Sequence, residues 1–183
     1  LGSSLLSGVI YAPWGKRVMQ HREERWGRSV EALKAVAPFA AEHGVILGIE
    51  AINRFETDLV NTAAQAVQMA NEVNEKNVGV LLDTYHMNME EKQIGASLQK
   101  SKDKLVHLHC VENDRGVPGS GHISWVDVFS SLKQMDYKGW LTLELFIQAN
   151  EAVSRDLAIW RDIEADPTEA ARQGLKFLRE NLK

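Results

Sequence analysis

The sequence contains a single cysteine, only four prolines and no strong excess of charge of either sign. Because Cys110 has no partner, an intrachain disulfide is excluded; the thiol is best explained as a small buried apolar side chain in a reducing, cytoplasmic protein. No apolar run approaches the roughly 20 residues that a membrane-spanning helix needs, and the N-terminal segment lacks the features of a signal peptide. The net charge is −4 and no basic stripe is present. We therefore expect neither a membrane nor a nucleic acid as partner.

Short apolar segments alternate with longer amphipathic segments along the chain. Five apolar segments predict strands, over Leu5–Ala12, Asn77–Asp83, Val45–Glu50, Lys104–Cys110 and Gly139–Phe146. Continuous apolar strands separated by helices favour an α/β fold with a parallel sheet covered by helices. The longest connections follow the C-terminal ends of strands, which is the functional end of such folds.

Several residues predict where helices begin, end or bend. Asn61 or Thr62, Ser124 and Asp166 are expected to cap the starts of three helices. The first predicted helix covers residues 22–44, and Pro38 is expected to kink or break it, since proline cannot donate a backbone hydrogen bond. Residues 90–103 predict one further, modest helix. Packing in the interior is predicted for three tryptophans: Trp26, Trp125 and Trp140.

Four acidic or imidazole residues lie at or near the C-terminal ends of predicted strands, where strand propensity disfavours them. They are Glu50, Asp83, His109 and Glu144. One such residue alone is more often a surface or ion-paired group, but four in one layer favour a site. Packed carboxylates raise one another's pKa unless a cation lies between them. The pattern predicts a divalent ion bound by three carboxylates and one imidazole, which favours Mn, Mg or Co over structural Zn.

The nitrogen ligand of this predicted site has two candidates. Successive side chains of a strand point to opposite faces, so His107 and His109 share one face. Position alone leaves both open.

A second group of polar residues lies in the loops beyond these strand ends. Glu56, His86 and Arg115 each come three to six residues later, and Arg54 lies beside the first of them. Such residues are suited to bind a polyhydroxylated or anionic ligand. Trp14 follows the first strand and could either stack on a sugar or simply pack against the protein.

Five segments resemble the ketose 3-epimerases, the D-tagatose/D-psicose (allulose) 3-epimerase family of the xylose-isomerase-like TIM barrels. The segments are EAINRFE, LLDTYHMNMEE, HLHCVENDRGVPGSGHISW, YKGWLTLELF and VSRDLAIWRD. The resemblance extends from about Gly8 to Lys183. It implies metal-dependent epimerisation of a free ketose at C3, by deprotonation and reprotonation through a metal-stabilised enediolate.

The resemblance also implies a role for each matching residue. Glu50, Asp83, His109 and Glu144 match the metal ligands, with Mn(2+) the most common ion and Mg(2+) or Co(2+) as alternatives. Glu50 and Glu144 further match the catalytic acid/base pair. The residues that match the substrate-binding positions are Glu56, His86, Arg115 and Trp14.

The number of strands is smaller than this fold requires. A complete (β/α)8 barrel has about 250 residues, whereas the 183 residues here predict only five strand–helix units. We expect residues 1–183 to form the C-terminal part, strands 4 to 8, of a single barrel domain. A truncated chain of this kind would expose its sheet edges, so we expect a homo-oligomer or association through those edges.

Three other functions are compatible with parts of the pattern. Hydroxypyruvate isomerases and inosose dehydratases share the four-ligand arrangement, although NRFE and DTYHMN favour the epimerase. An endonuclease IV-type hydrolase would need further metal ligands and a basic face, which the sequence lacks. A fragment that binds metal without catalysis is the third alternative.

Overall fold

The computed structural model of the chain describes residues 2–149 and 154–182. One parallel sheet contains the strands β1 Leu5–Gly8, β2 Ile46–Glu50, β3 Val78–Asp83, β4 Leu105–His109 and β5 Trp140–Thr142. The described helices are α1 Arg22–Glu42, α2 Ala63–Val73, α3 Thr84–Glu90, α4 Ile94–Lys100, α5 Trp125–Gln134, α6 Ser154–Leu157 and α7 Pro167–Asn181. Val153, the first residue of the segment VSRDLAIWRD, lies outside the described residues. None of the described helices is long and apolar enough to cross a membrane.

The strands lie in the sheet in the same order as in the chain, and every neighbouring pair is parallel. The fold is therefore a partial TIM barrel of five parallel strands, and the predicted α/β class with five strand–helix units is confirmed. Asp83 lies directly opposite His109 in the β3–β4 pair, and His109 lies opposite Thr142 in the β4–β5 pair. The register thus brings the C-terminal ends of neighbouring strands into one layer.

The main core lies between the sheet and the helices that cover it. Every residue of β3 is buried, because this central strand has a neighbour on each side and helices against it. Met69 of α2 and Leu98 of α4 are fully buried in this core. Burying a side chain of this size contributes about 1.5–3 kcal/mol. Cys110 is also fully buried, as predicted.

Two of the three predicted helix starts have the expected capping hydrogen bonds. Thr62 caps α2 and forms a capping box with Gln65, and Asp166 accepts hydrogen bonds from the first turn of α7. Ser124 does occupy the position before α5, as predicted, but its side chain makes no capping hydrogen bond there.

Of the two outcomes predicted for Pro38, the break is wrong, while the kink stays a prediction. α1 continues through Pro38 to Glu42. The missing backbone donor costs one helical hydrogen bond. The neighbouring residues Leu33, Ala37 and Ala40 are buried against the core, and this packing keeps the helix continuous.

The first and last strands are shorter than the sequence predicts. β1 ends at Gly8, whose φ of 140° bends the backbone out of the strand. β5 contains only three residues, so Glu144 lies just beyond it. The prediction that Trp140 packs in the interior is also wrong: it is 78% exposed on the outermost strand, whereas Trp26 and Trp125 are buried as predicted.

Helix α3 is not predicted by the sequence pattern. It begins immediately after Asp83, whose carboxylate accepts the Tyr85 backbone N–H at 2.7 Å. The start of this helix therefore fixes the orientation of Asp83 and turns His86 back toward the end of the sheet.

Candidate metal centre

Glu50, Asp83, His109 and Glu144 come together at the C-terminal end of the sheet. Each offers one ligand atom, and the four atoms lie within 4.8 Å of one another. His109 Nδ1 lies 3.8 Å from Glu50 Oε1, 3.6 Å from Asp83 Oδ2 and 3.2 Å from Glu144 Oε2. Strand ends position the first three residues, while the segment after β5 supplies the fourth. Of the two candidate histidines, His109 is the one in the cluster.

The donor set fits a divalent cation. Asp83 is fully buried and Glu50 nearly so. His109 Nδ1 is a buried nitrogen without a hydrogen-bond partner of good geometry among the described residues, although three carboxylates surround it. A buried polar atom of this kind normally has a partner. A metal ion among the four groups would use the nitrogen and balance the carboxylates.

The electrostatics of the cluster reflect carboxylates packed together out of water. Burial, followed by the charges of Asp83 and Glu144, raises the pKa of Glu50 to about 8. Burial lowers the pKa of His109, but the neighbouring carboxylates outweigh it and raise that pKa to about 10. Both raised pKa values have the same meaning: added positive charge at the centre of the cluster is stabilising.

Arg115 lies against the cluster and is almost fully buried. Its Nη1 donates to Asp83 Oδ2 at 2.7 Å and to Glu144 Oε2 at 3.0 Å. Burial alone raises the pKa of Asp83, but the guanidinium and His109 hold it well below its ordinary value. The predicted substrate-binding arginine is thus also part of the electrostatics of the ligand cluster.

His86 lies on the other side of Arg115, and its hydrogen bonds fix its tautomer. Its Nδ1 faces the backbone N–H of Asn53 at 3.1 Å and the side-chain Nδ2 of Asn53 at 2.9 Å, so it must be an acceptor. The amide orientation of Asn53 is set by Phe55, whose N–H it accepts through Oδ1. The proton of neutral His86 is therefore on Nε2, which lies 3.2 Å from Arg115 Nη2. Two donors therefore face each other at this point, and a single acceptor oxygen placed between them could satisfy both.

Glu56 and Trp14 continue this arrangement toward solvent. Glu56 accepts from Asn53 Nδ2 at 2.7 Å and from Trp14 Nε1 at 2.8 Å. Trp14, Glu56 and Tyr85 line a cavity of about 420 Å³, together with residues of α6 such as Arg155. Trp14 is 41% exposed, so it borders this cavity and is not packed in the interior. The predicted site residues therefore lie next to one another, from the ligand cluster to the cavity.

Arg54, by contrast, turns away from this network. It forms a bidentate ion pair with Glu90 of α3, with contacts of 2.9 and 3.0 Å. Its role is to connect the loop after β2 to α3.

Two residues with important contacts were not identified from the sequence. Asn53 links His86 to Glu56, and its position in NRFE was the only available signal. Glu112 is fully buried and anchors the loop that carries Arg115, accepting hydrogen bonds from Gly119, Ile123 and Trp125. Its partners lie 7 to 13 residues further along the chain, and they come close to Glu112 only when the loop is folded.

A partial parallel barrel with three carboxylates and an imidazole at the C-terminal end of its sheet has a candidate metal site at the functional end of a TIM-type barrel. The chain belongs to the xylose isomerase-like TIM barrel family, whose model matches residues 5–181. Within that family, the resemblance to the ketose 3-epimerases is confirmed by individual relatives.

The relatives include epimerases from several bacteria. The chain is 36% identical to L-ribulose 3-epimerase of Methylomonas sp. over 98% of its own length and 64% of the relative. It is 34% identical to D-psicose 3-epimerase of Agrobacterium fabrum, over 95% and 63% of the two lengths. The crystal structure of D-psicose 3-epimerase with D-tagatose from Clostridium cellulolyticum H10 superposes with a TM-score of 0.92 at 36% identity, covering 98% of this chain and 64% of the other. The chain thus spans slightly less than two thirds of these relatives.

Proposed function

We propose that this chain is the catalytic part of a metal-dependent ketose 3-epimerase. The observation that carries the proposal is the connection, through Arg115, between the four-residue ligand cluster and the two converging donors of His86 and Arg115. A sugar that presents adjacent oxygen atoms could contact both parts at once. The identities of the relatives support a ketose as the substrate class.

In this proposal Glu50, Asp83, His109 and Glu144 bind the metal ion, with Mn(2+) first and Mg(2+) or Co(2+) as alternatives. When bound, a divalent cation supplies Lewis-acid polarisation of the ketose carbonyl at C2. The proton at C3 is acidic only because of that carbonyl. Removing it therefore requires a base close to the same group.

Glu50 and Glu144 are proposed as the two acid/base residues. One carboxylate removes the C3 proton, and the other returns a proton to the opposite face, which inverts the configuration. His86 and Arg115 donate hydrogen bonds to the oxygen that gains negative charge in the enediolate. Glu56 and Trp14 hold the adjoining part of the sugar at the cavity, and Asn53 keeps His86 in the donating tautomer.

The test is incubation with D-psicose, D-fructose or D-tagatose and Mn(2+) in deuterated water. We expect the C3 epimer by chromatography and deuterium at C3 by NMR. Glu50→Gln and Glu144→Gln should abolish the exchange. Glu72→Gln serves as a matched control, since Glu72 accepts a hydrogen bond from Trp26 away from the cluster. Deuterium at C1 would instead indicate an aldose–ketose isomerase, and no exchange with bound metal would indicate a non-catalytic metal-binding domain.

We further propose that the five units correspond to strands 4 to 8 of the family barrel and associate through their open edges. β1 and β5 each pair with only one described strand. Leu6 at the first edge is 56% exposed and Trp140 at the second is 78% exposed. Leu141 of β5 and Leu175 of α7 line a groove of about 580 Å³ at this second edge. Exposed apolar strand edges of this kind favour pairing with more polypeptide.

Sedimentation at several concentrations tests the association. We expect the wild-type chain to form concentration-dependent oligomers and Trp140→Ser to weaken them. Trp160→Ser is the matched control, because Trp160 is 73% exposed but lies outside the strands. A compact monomer at all concentrations would contradict this part of the proposal.

A further inference from the structure

Arg115 and the proposed metal ion would share the same ligand oxygens. Arg115 Nη1 contacts Asp83 Oδ2 and Glu144 Oε2. The same two oxygens lie 3.6 and 3.2 Å from His109 Nδ1, the nitrogen of the ligand cluster. A guanidinium on these oxygens withdraws negative charge from the atoms that would bind a cation.

The formal charges of the buried groups point to a divalent ion. Three carboxylates of the cluster and one guanidinium leave a charge of −2 when His109 is neutral, as a metal ligand must be. Within the described residues, Arg115 is the only lysine or arginine that pairs with any of the four ligands. Without Arg115 the same cluster would carry −3.

Arg115 is held in this position by its surroundings. Its guanidinium carbon lies 3.9 Å from the ring centre of Tyr85 and 4.8 Å from that of Phe146. Its backbone has a φ of 70°, and its N–H donates to the Glu112 carbonyl at 3.0 Å. Rotation of the side chain away from the cluster would break the ring contacts and leave a buried charge unpaired. The guanidinium would therefore remain beside an ion that the four ligands hold.

We propose that Arg115 is an internal counter-cation that lowers the affinity of the cluster for divalent metal ions while it holds a donor beside His86. The repulsion between the guanidinium and the ion is the cause of the reduced affinity. The same contacts that reduce the affinity also fix the Arg115 donor beside His86. The inference rests on the proposed metal centre, but it does not depend on which sugar is converted.

The test compares Mn(2+) binding by Arg115→Gln and Arg115→Lys with that of the wild-type chain. Calorimetric titrations are made on chelator-treated protein without sugar, at slightly alkaline pH. Both variants keep an unbranched side chain at the positive φ, so the backbone strain is matched. We expect Arg115→Gln to bind Mn(2+) about tenfold more tightly, equivalent to ~1.4 kcal/mol. Arg115→Lys retains the charge and should stay within about threefold of wild type.

Arg25→Gln is the control for loss of an arginine–carboxylate pair elsewhere. Arg25 forms a bidentate pair with Asp58, outside the ligand cluster, so the affinity for Mn(2+) should not change. Circular dichroism establishes that each variant is folded.

Weaker or unchanged Mn(2+) binding by Arg115→Gln would overturn the inference, because the arginine would then order the ligands and not compete with the ion. Binding by neither Arg115→Gln nor wild type would overturn it as well. Failure of the proposed function gives a different result: Arg115→Gln binds Mn(2+) more tightly, but the wild-type chain exchanges no proton at C3 of a ketose.

Discussion

Replacing Glu112 by Gln tests how the loop that carries Arg115 is stabilised. One carboxylate oxygen of Glu112 accepts the Ile123 N–H at 2.8 Å. The other accepts the Gly119 N–H at 2.8 Å and the Trp125 indole N–H at 2.7 Å. The residue is fully buried, so water cannot replace a lost partner.

The expected loss of stability follows from the number of hydrogen-bond acceptors that the substitution removes. Gln has the shape of Glu, but one of its two terminal atoms is an NH₂ group that donates and cannot accept. At least one of the three N–H groups must therefore lose its partner. A hydrogen bond to a charged group contributes about 1.5–3 kcal/mol, and the remaining bonds become neutral. We expect Glu112→Gln to lower the free energy of unfolding by about 2–4 kcal/mol, or the Tm by roughly 5–12 °C.

The pH dependence supplies a second measurement. Burial raises the pKa of Glu112, but the hydrogen bonds from Trp125, Ile123 and Gly119 outweigh this and lower it below its ordinary value. A lowered folded-state pKa contributes stability that is complete above the unfolded pKa of about 4.3 and is lost as the pH falls further. The difference between wild type and Glu112→Gln should therefore be largest at neutral pH and shrink on acidification. Urea unfolding between neutral pH and about pH 3 measures this difference.

A matched variant, Trp125→Phe, removes one of the three donors. The phenyl ring keeps the aromatic contacts with Phe129 and Phe177, whose ring centres lie 5.6 and 5.5 Å from that of Trp125. We expect it to cost less than Glu112→Gln and to keep most of the pH dependence. If the free energy of unfolding of Glu112→Gln lies within about 0.5 kcal/mol of the wild-type value at neutral pH, the reasoning is refuted.

Three further changes test other parts of the structure. Asp58→Asn removes the bidentate pair with Arg25, which holds the pKa of Asp58 far below its usual range. We expect about 1–3 kcal/mol of destabilisation at neutral pH in urea unfolding, and this difference should begin to shrink once the pH falls below about 4, the unfolded pKa; the same loss at all pH values would contradict the assignment. Gly119→Ala places a Cβ 2.5 Å from a ring carbon of Phe177 at a φ of +90°, and a loss of about 2–4 kcal/mol is expected; a neutral effect would mean that the loop can shift. We expect Mn(2+) to raise the Tm of the wild-type chain and Asp83→Asn to abolish that rise; a rise retained in the variant would place the ion elsewhere.

The position of the site could be predicted from the sequence because it depends on strand ends. In a parallel sheet, the residue types at the C-terminal ends are brought into one layer by the register, whatever the details of the helices. Glu50, Asp83 and His109 therefore meet as the sequence predicts. The choice of His109 over His107 required the structure, since both point to the same side of β4.

The remaining features depend on contacts that the sequence pattern does not contain. Helix α3 is too short to have a recognisable period, and it starts from a strand-end residue that the pattern assigns only to the sheet. Trp140 is exposed because nothing among the described residues covers the outer edge of β5. Pro38 is accommodated because the packing of α1 outweighs one missing hydrogen bond.

The sequential order of the strands has a consequence for how the polypeptide can assemble. Each strand pairs only with the strands that precede and follow it in the chain. In a sheet of this kind every strand pairing joins units that are adjacent in the chain, so each pairing closes a loop of moderate length. A cut in any connecting loop would therefore separate two blocks without leaving one threaded through the other. Two such blocks could pair again through their edge strands. A sheet in which strands from distant parts of the chain alternate could not be separated in this way.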